Sequence, residues 1–363
     1  MTTEPLVIRA LRARAVNVPM KRPLVTGGGA VAVAPLVLID LETDRGVTGS
    51  AYVFAYTSLA LAPLARLVEN LGGVLEGQPL APAVIAEMLG GTFRLIGLQG
   101  LTAMAAGGID MAAWDALSKA AGLPLVRMLG GEPRPVRAYN SKGLGLIGAD
   151  AAGKEAAELQ AEGFTAVKVR LGYADVRDDL AVVRAVRAAI GDDAPLMSDY
   201  NQCLSAAEAE QRIRVLDDEG LYWVEEPVRF DDFAGHARIR GNVHTPVQTG
   251  ENCWGVSDMA KALEAGACDY FMADAVKIGG VSGWLEAAAL AAACGVPLSS
   301  HLFPEVSVHL LGVTRTRHWL EYVDWAEPVL EEPVTIRDGH ALVPERPGIG
   351  LQWNEEAVAR YAA

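Results

Sequence analysis

Five carboxylates and a histidine recur at nearly even intervals through the second half of the chain. Asp199, Glu225, Glu251, Asp274 and His301 are separated by 26, 26, 23 and 27 residues, and Glu321 follows them. Each closes a short apolar run: "PLMSD", "LYWVE", "VQTGE", "YFMAD", "VPLSSH" and "HWLE". Upstream, Ser141 ends "VRAYNS", and Lys168 and Arg170 lie two apart in "FTAVKVRLGY". On a strand those two cations share one face.

A single Asp at a strand end is usually a turn or capping residue. Glu is a poor cap, so Glu at successive ends needs another reason. Three carboxylates on consecutive strands cannot all stay ionised without a counter-charge. Asp199, Glu225 and Glu251 are therefore expected to hold a divalent cation. Oxygen-only donors suit Mg2+, which leaves positions for water or substrate oxygens, whereas zinc would want His or Cys in the trio. Asn201 and Glu226 flank the trio and read either as groups that orient it or as surface polars.

Asp274 beside His301 would fix the imidazole tautomer and raise its basicity, making a general base. The bland alternative is a core histidine satisfied by an acid. A metal, a carboxylate-bearing ligand and a positioned base point to removal of the proton next to a carboxylate. Glu321 is expected to be a protonated hydrogen-bond donor to the enediolate, its pKa raised by burial near other acids. Lys168 would add a fixed positive charge.

For these groups to meet, the runs must be strands that end on one side. The intervals match one βα unit. Helical stretches such as "SAAEAEQRIRVLDDEG" and "VSGWLEAAALAAACG" separate the runs and close on Gly. About eight runs predict a (β/α) barrel with one irregular unit, whose strand ends converge on one mouth. Before it, "LVIRALRARAVNVPM" and "APLVLIDLETDRGVTGSAYVFAY" read as antiparallel strands joined through a flexible Gly27–Gly29 loop. A helical pattern then runs from about Ser58 to Leu129. The closing "TIRDGHALVPERPGIGLQW" reads as strand and loop returning to the first domain.

The chain has 363 residues, 51% of them hydrophobic, enough for two domains with a sizeable core. A formal charge of −14 argues against nucleic acid as a partner. No run of 18 apolar residues and no basic-then-apolar leader in "MTTEPLVIRA" is seen, so no membrane partner is expected. Cys203, Cys253, Cys268 and Cys294 are widely spaced, which fits a reducing cytoplasm.

These motifs are similar to those of the enolase superfamily, mandelate racemase subgroup. The likeness covers nearly the whole chain: "RAVNVP", "APLVLIDL", "FAYT" and "GIDMAAWDAL", then "DYNQ", "EEP", "GEN", "DAVKIGGVSGW", "SSHLF" and "HWLE". It implies an α/β fold, a modified TIM barrel of (β/α)7β form under an N-terminal α+β capping domain. The boundaries expected are 1–133 for the cap, 134–325 for the barrel and 326–363 for a segment returning to the cap. It implies Mg2+ on Asp199, Glu225 and Glu251, and His301 with Asp274 as the base acting on the R enantiomer. Glu321 becomes the electrophilic acid. Ser141 and Lys168 touch the carboxylate of a small 2-hydroxy acid substrate, and Lys277 supports the site from behind. Leu24, Val31 and Tyr56 match flap and lid positions of the cap, which favours an apolar or aromatic substrate over a polyol. Gly28 replaces an apolar flap residue, implying a wider pocket. The family commonly forms octamers, so a homo-oligomer is expected.

Two positions depart from the family pattern. Arg170 stands where the family racemase has the Lys that serves as base for the S enantiomer. A guanidinium starts above pKa 12, so it is the poorer base. It is expected instead to bind an anionic or hydroxyl group of the substrate. Lys142 stands where the racemase has His, and reads as pocket lining or a solvent-facing residue. The leading expectation is racemisation, with one-base dehydration of an acid sugar as its rival because of Arg170. A barrel that binds a carboxylate without turnover is a third reading. "GLGLIG", Gly143 to Gly148, also satisfies a dinucleotide fingerprint. The polar "YNSK" before it and the missing acid for a ribose argue against that reading.

Overall fold

The computed structural model describes residues 5–363, so the first four residues of the stretch read for a leader lie outside the described residues. The chain opens with an antiparallel sheet of β1 (Ile8–Thr26), β2 (Gly29–Thr43) and β3 (Thr48–Phe54) in that order. The glycine stretch is tighter than a loose loop. β1 and β2 pair up to Thr26↔Gly29, leaving only Gly27 and Gly28 at the hairpin tip. Leu24 and Val31 face each other directly across this hairpin.

Four helices follow: α1 (Ser58–Leu75), α2 (Pro82–Thr92), α3 (Leu101–Ala120) and the short α4 (Leu125–Met128). By length and composition α1 is apolar enough to cross a membrane. Here it is an amphipathic cap helix. It buries Leu61, Leu64, Val68, Leu71 and Leu75, and carries Arg66 and Glu69 on its open side.

The barrel strands are β4 (Val136–Asn140), β5 (Val167–Arg170), β6 (Leu196–Asp199), β7 (Trp223–Glu225), β8 (Val247–Thr249), β9 (Tyr270–Asp274), β10 (Leu298–His301) and β11 (Arg317–Tyr322). They alternate with α5 (Ala149–Ala161), α6 (Val176–Ile190), α7 (Ala206–Leu216), α8 (Phe233–Arg240), α9 (Gly255–Glu264), α10 (Gly280–Cys294) and α11 (Pro304–Val313). All eight strands pair in parallel, and β11 closes onto β4. No barrel helix follows β11, which is the irregular unit, so the architecture is (β/α)7β. The strands are almost wholly buried because helices cover one face and the barrel core the other. Side-chain caps start three of the intervening helices, Asp175 on α6, Ser205 on α7 and Asp232 on α8.

The cap sits on the barrel at α10 and α11. Trp114 and Asp110 of α3 bond Ser282 of α10, and Tyr52 of β3 donates to Glu305 of α11 at 2.6 Å. Gly107 allows this approach, since a Cβ there would lie 2.2 Å from the Val276 carbonyl oxygen. The last segment first adds a hairpin, β12 (Ile336–Arg337) and β13 (His340–Ala341), antiparallel to barrel strand β4. The sequence reading had not placed it on the barrel. The chain then returns to the cap, where Trp353 donates to Asp40, and ends in α12 (Glu355–Arg360).

Candidate active site

The barrel brings the strand-end residues to one mouth. Ligand oxygens of Asp199, Glu225 and Glu251 lie within 4.8 Å of one another. Each carboxylate is held from behind. Asp199 accepts from the Asn201 backbone at 2.7 Å and from Asn201 Nδ2 at 2.9 Å. Glu225 Oε2 accepts from Trp223 Nε1 at 3.0 Å and Gln248 Nε2 at 3.2 Å. Asn252 Nδ2 bridges Glu226 at 2.8 Å and Glu251 at 3.1 Å, and Lys277 Nζ donates to Asn252 Oδ1 at 2.6 Å. Glu226 is thus a buried member of the site and not a surface polar.

The trio fits a hard divalent cation. Burial pushes the Glu225 carboxyl well above its usual range, partly offset by Lys168 and aggravated by Asp199 and Glu251. Glu226 is raised for the same first reason. Oxygens Glu226 Oε1 and Asn201 Oδ1 are buried without a hydrogen-bond partner. An all-oxygen set with excess negative charge is the donor chemistry Mg2+ takes. The backbone at these strand ends is unusual too: Asn201, Gln202 and Glu226 all have positive φ. Such conformations cluster where function fixes geometry.

Lys168 is 1% exposed and reaches three carboxylates: Glu225 at 2.5 Å, Glu321 at 2.8 Å and Asp199 at 3.3 Å. Burial disfavours its charge, but those acids outweigh it and raise its pKa. His301 Nδ1 lies 2.8 Å from Asp274 Oδ2, which also accepts from Tyr56 OH at 3.1 Å. The other oxygen, Asp274 Oδ1, accepts from the backbone of Val276 and Lys277. That leaves His301 Nε2 turned to the mouth, 3.4 Å from Glu251 and 3.8 Å from Glu321. Burial alone would lower the imidazole pKa; Glu251, Glu321 and Asp274 reverse that and raise it. Tyr56 is the cap's contribution. Its φ is +59°, and its ring lies 4.0 Å from Lys277 Nζ.

Glu321 departs from expectation. Its burial does raise its pKa, but Lys168, His301 and Arg170 together carry it below the ordinary carboxylate range. It accepts from Ser141 Oγ at 2.7 Å and from the Leu302 backbone at 3.0 Å. In this arrangement both its oxygens accept hydrogen bonds and Lys168 faces it at 2.8 Å, so its pKa is shifted down where the sequence reading expects it raised. Lys168 is the largest influence opposing burial.

Arg170 also departs. It binds the protein where substrate binding was expected. Nη1 donates to the carbonyls of Ser141 at 2.8 Å and Gly143 at 3.0 Å, and Nη2 donates to Ser141 Oγ at 2.7 Å. Lys142 neither lines the cavity nor faces solvent: it pairs with Glu162 and lies 3.7 Å from Asp324. The "GLGLIG" stretch serves the same region. Gly145 packs so tightly on the β1 backbone that a Cβ would lie 2.6 Å from the Val25 oxygen, and Leu146 donates to that oxygen. These glycines seat the flap and the Arg170 clamp within a barrel, not a dinucleotide fold.

A cavity of about 170 Å3 opens among these groups. Lys168, Arg170, Asp199, Asn201, Glu251, His301 and Glu321 line its polar side. Leu24, Val31, Phe54, Leu302 and Trp325 line the other, with Tyr56 between. Gly28 is not part of the lining. The neighbouring Gly27 docks the hairpin tip on the barrel, since a Cβ there would lie 2.6 Å from Cys203 Sγ. Sequence reading missed Trp223, Gln248, Asn252, Phe54 and Trp325. Trp223 was within reach, because it lies two residues before Glu225 on one strand and so shares its inward face.

The chain resembles known proteins over nearly its whole length. Residues 8–130 match the mandelate racemase / muconate lactonizing enzyme N-terminal domain, and residues 151–357 match the enolase C-terminal domain-like family. The chain is 33% identical to an L-talarate/galactarate dehydratase of Salmonella typhimurium over 324 residues, 89% of this chain and 81% of the relative. A solved enolase of Bradyrhizobium complexed with magnesium and mandelic acid superposes with TM-score 0.95 at 45% identity, over 100% of both chains. Another enolase, from the bacterium bal199 with bound magnesium, gives TM-score 0.97 at 46% identity over 99% of this chain and 100% of that one.

Proposed function

We propose, for a chain that belongs to the mandelate racemase / muconate lactonizing enzyme family of the enolase superfamily, that it removes the α-proton of a 2-hydroxy carboxylate bearing an apolar or aryl group. The observation that carries this reading is one cavity lined by Asp199, Glu251 and His301 and by an apolar wall, with Glu225 completing the carboxylate trio and Asp274 backing the histidine. Mg2+, the cofactor, would be held by Asp199, Glu225 and Glu251, where it makes the α-proton of a bound carboxylate more acidic.

The side chains then divide the work. Lys168 receives the substrate carboxylate, while Ser141, which does not line the cavity and already donates to Glu321, aligns that acid. His301 Nε2 takes the proton, and Asp274 stabilises the imidazolium through Nδ1. Arg170 holds the Ser141–Gly143 turn in place. Tyr56 covers the base from the cap.

The outcome we favour is racemase-like: the proton returns to the planar carbon from either face. The apolar wall and the mandelic-acid complex of the Bradyrhizobium relative support an aryl substituent. The family pattern assigns His301 to the R enantiomer. The opposite face has Arg170 where a second base would stand, and a guanidinium donating three hydrogen bonds is a poor proton acceptor. Return from that face is therefore slow.

That same engagement of Arg170 favours a second reading, dehydration of an acid sugar by His301 acting as base and then acid. The talarate/galactarate dehydratase relative supports it. The apolar wall opposes it, because a polyol there would leave hydroxyls unpaired. Incubation with mandelate and with a panel of acid sugars in D2O separates the two. α-Proton exchange of mandelate supports the first, a 2-keto-3-deoxy product alone supports the second, and neither outcome rejects both.

A further inference from the structure

The apolar side of the cavity is built across the cap–barrel seam, and one of its members comes from the segment that follows the strand carrying Glu321. β11 ends at Tyr322, and the chain delivers Trp325 into the cavity four residues beyond Glu321. The Trp325 ring packs on Phe54 of the cap with centroids 5.0 Å apart and planes at 47°. Phe54 in turn packs on Tyr56 at 4.7 Å and 54°. Three rings thus form a continuous wall facing His301 and the carboxylates.

The wall is fixed from behind. Asp324, beside Trp325, lies 3.7 Å from both Lys21 and Lys142, and Glu327 pairs with Lys21 at 3.3 Å. Phe54 is buried beneath, whereas Trp325 keeps part of its surface open. Apart from the Trp325 indole N–H and the Tyr56 hydroxyl, little on this side could pair with a hydroxyl. Thr26 Oγ1 already bonds the Gly29 carbonyl and the Gly28 N–H. A flat apolar group would gain offset or edge contacts with the rings. A polyol would give up hydrogen bonds to water with little replacement.

We propose that Trp325 is a specificity-determining residue: its ring seats the α-substituent of the substrate and selects a flat apolar group over a hydroxylated chain. The proposal rests on the α-proton reading for the placement of the substrate carboxylate, and its test is binding, which does not require turnover. The Mg2+-loaded full chain is titrated with (R)-mandelate and with galactarate by calorimetry, for the wild type and for Trp325→Phe, Trp325→Ala and Trp325→Gln. Tryptophan emission is followed in parallel.

Trp325→Ala and Trp325→Gln should weaken mandelate binding at least tenfold, with Trp325→Phe within threefold of wild type. Trp325→Gln should also narrow the mandelate-over-galactarate preference at least tenfold. Mandelate should change the emission of the wild type but not of Trp325→Phe, although six other tryptophans remain of the seven. Mandelate affinity within twofold of wild type in Trp325→Gln, or an emission change that persists in Trp325→Phe, overturns the proposal. So does a wild type that does not bind mandelate. Tight, Trp325-dependent binding without proton exchange would reject the reaction reading and leave this assignment standing.

Discussion

Arg170 grips Ser141 at two points, its guanidinium donating to the carbonyl oxygen at 2.8 Å and to Oγ at 2.7 Å. Ser141 Oγ in turn donates to Glu321 at 2.7 Å. The second cation of β5 is therefore part of the frame that aims Ser141, and one bond removed from Glu321.

Replacing Arg170 by Lys tests that role. Lysine cannot span the Ser141 and Gly143 carbonyls and the Ser141 hydroxyl together. We expect kcat/KM for the R substrate to drop about 10- to 100-fold, the scale of one lost charged hydrogen bond at roughly 1.5–3 kcal/mol. Exchange from the S side should rise, because an amine reaches its neutral form more readily than a guanidinium. No gain on the S side, read by polarimetry or NMR, would mean that the frame around Ser141, not base strength, limits that face.

The His301–Asp274 pair should behave as a unit. Asp274→Asn leaves the ring in place but removes the charge facing Nδ1. A loss of about 10²- to 10⁴-fold in kcat is expected, the usual size of general-base effects. Tyr56→Phe removes only a donor to the same oxygen, so it should cost much less. Steady-state kinetics on both variants, with folding checked by circular dichroism, decides between them.

Metal binding should stabilise the fold as well as activate it. Asp199, Glu225 and Glu251 crowd buried negative charge that Mg2+ relieves. At 100 times its Kd, Mg2+ should contribute about 2.7 kcal/mol, visible as a rise in Tm of several degrees. EDTA should remove both the shift and the activity. Glu251→Gln should lose most of the shift, and an unchanged Mg2+ response in that variant would place the ion elsewhere.

Glu305 predicts a pH dependence of stability away from the metal. Burial between cap and barrel raises its pKa from 4.5 to about 7, with the Tyr52 hydrogen bond opposing the rise. Between those values the folded chain holds a proton that the unfolded chain has lost. Stability from this group therefore falls as pH climbs from about 4.5 through about 7. Glu305→Gln keeps a neutral acceptor for Tyr52, so it should be more stable than wild type at pH 8 and nearly equal at pH 4.5. Urea unfolding at the two values measures the difference.

The barrel and its metal trio were legible because one βα unit sets both the spacing and the side on which strands end. Asp199, Glu225, Asp274 and His301 needed only that period, and Glu251 lies just past its strand. What the sequence concealed depends on distances between strands. Lys168 overrides the effect of burial on Glu321 because it lies 2.8 Å away, and no spacing rule gives that number. The loop after β4 folds back under Arg170, a contact 27 residues distant in sequence that no local pattern shows. Phe54 and Trp325 meet only because the cap docks on the barrel, so neither run shows the pair. The β12–β13 hairpin was hidden for a simpler reason, since two-residue strands carry no periodic signal.

The central claim is that His301 is the working base and Arg170 is not. Proton NMR in D2O with Mg2+ and each separate enantiomer of mandelate tests it most directly. The account predicts loss of the α-proton signal from the R enantiomer, abolished in His301→Asn, and slow or no loss from the S enantiomer. Equally fast exchange from both enantiomers in the wild type would contradict it.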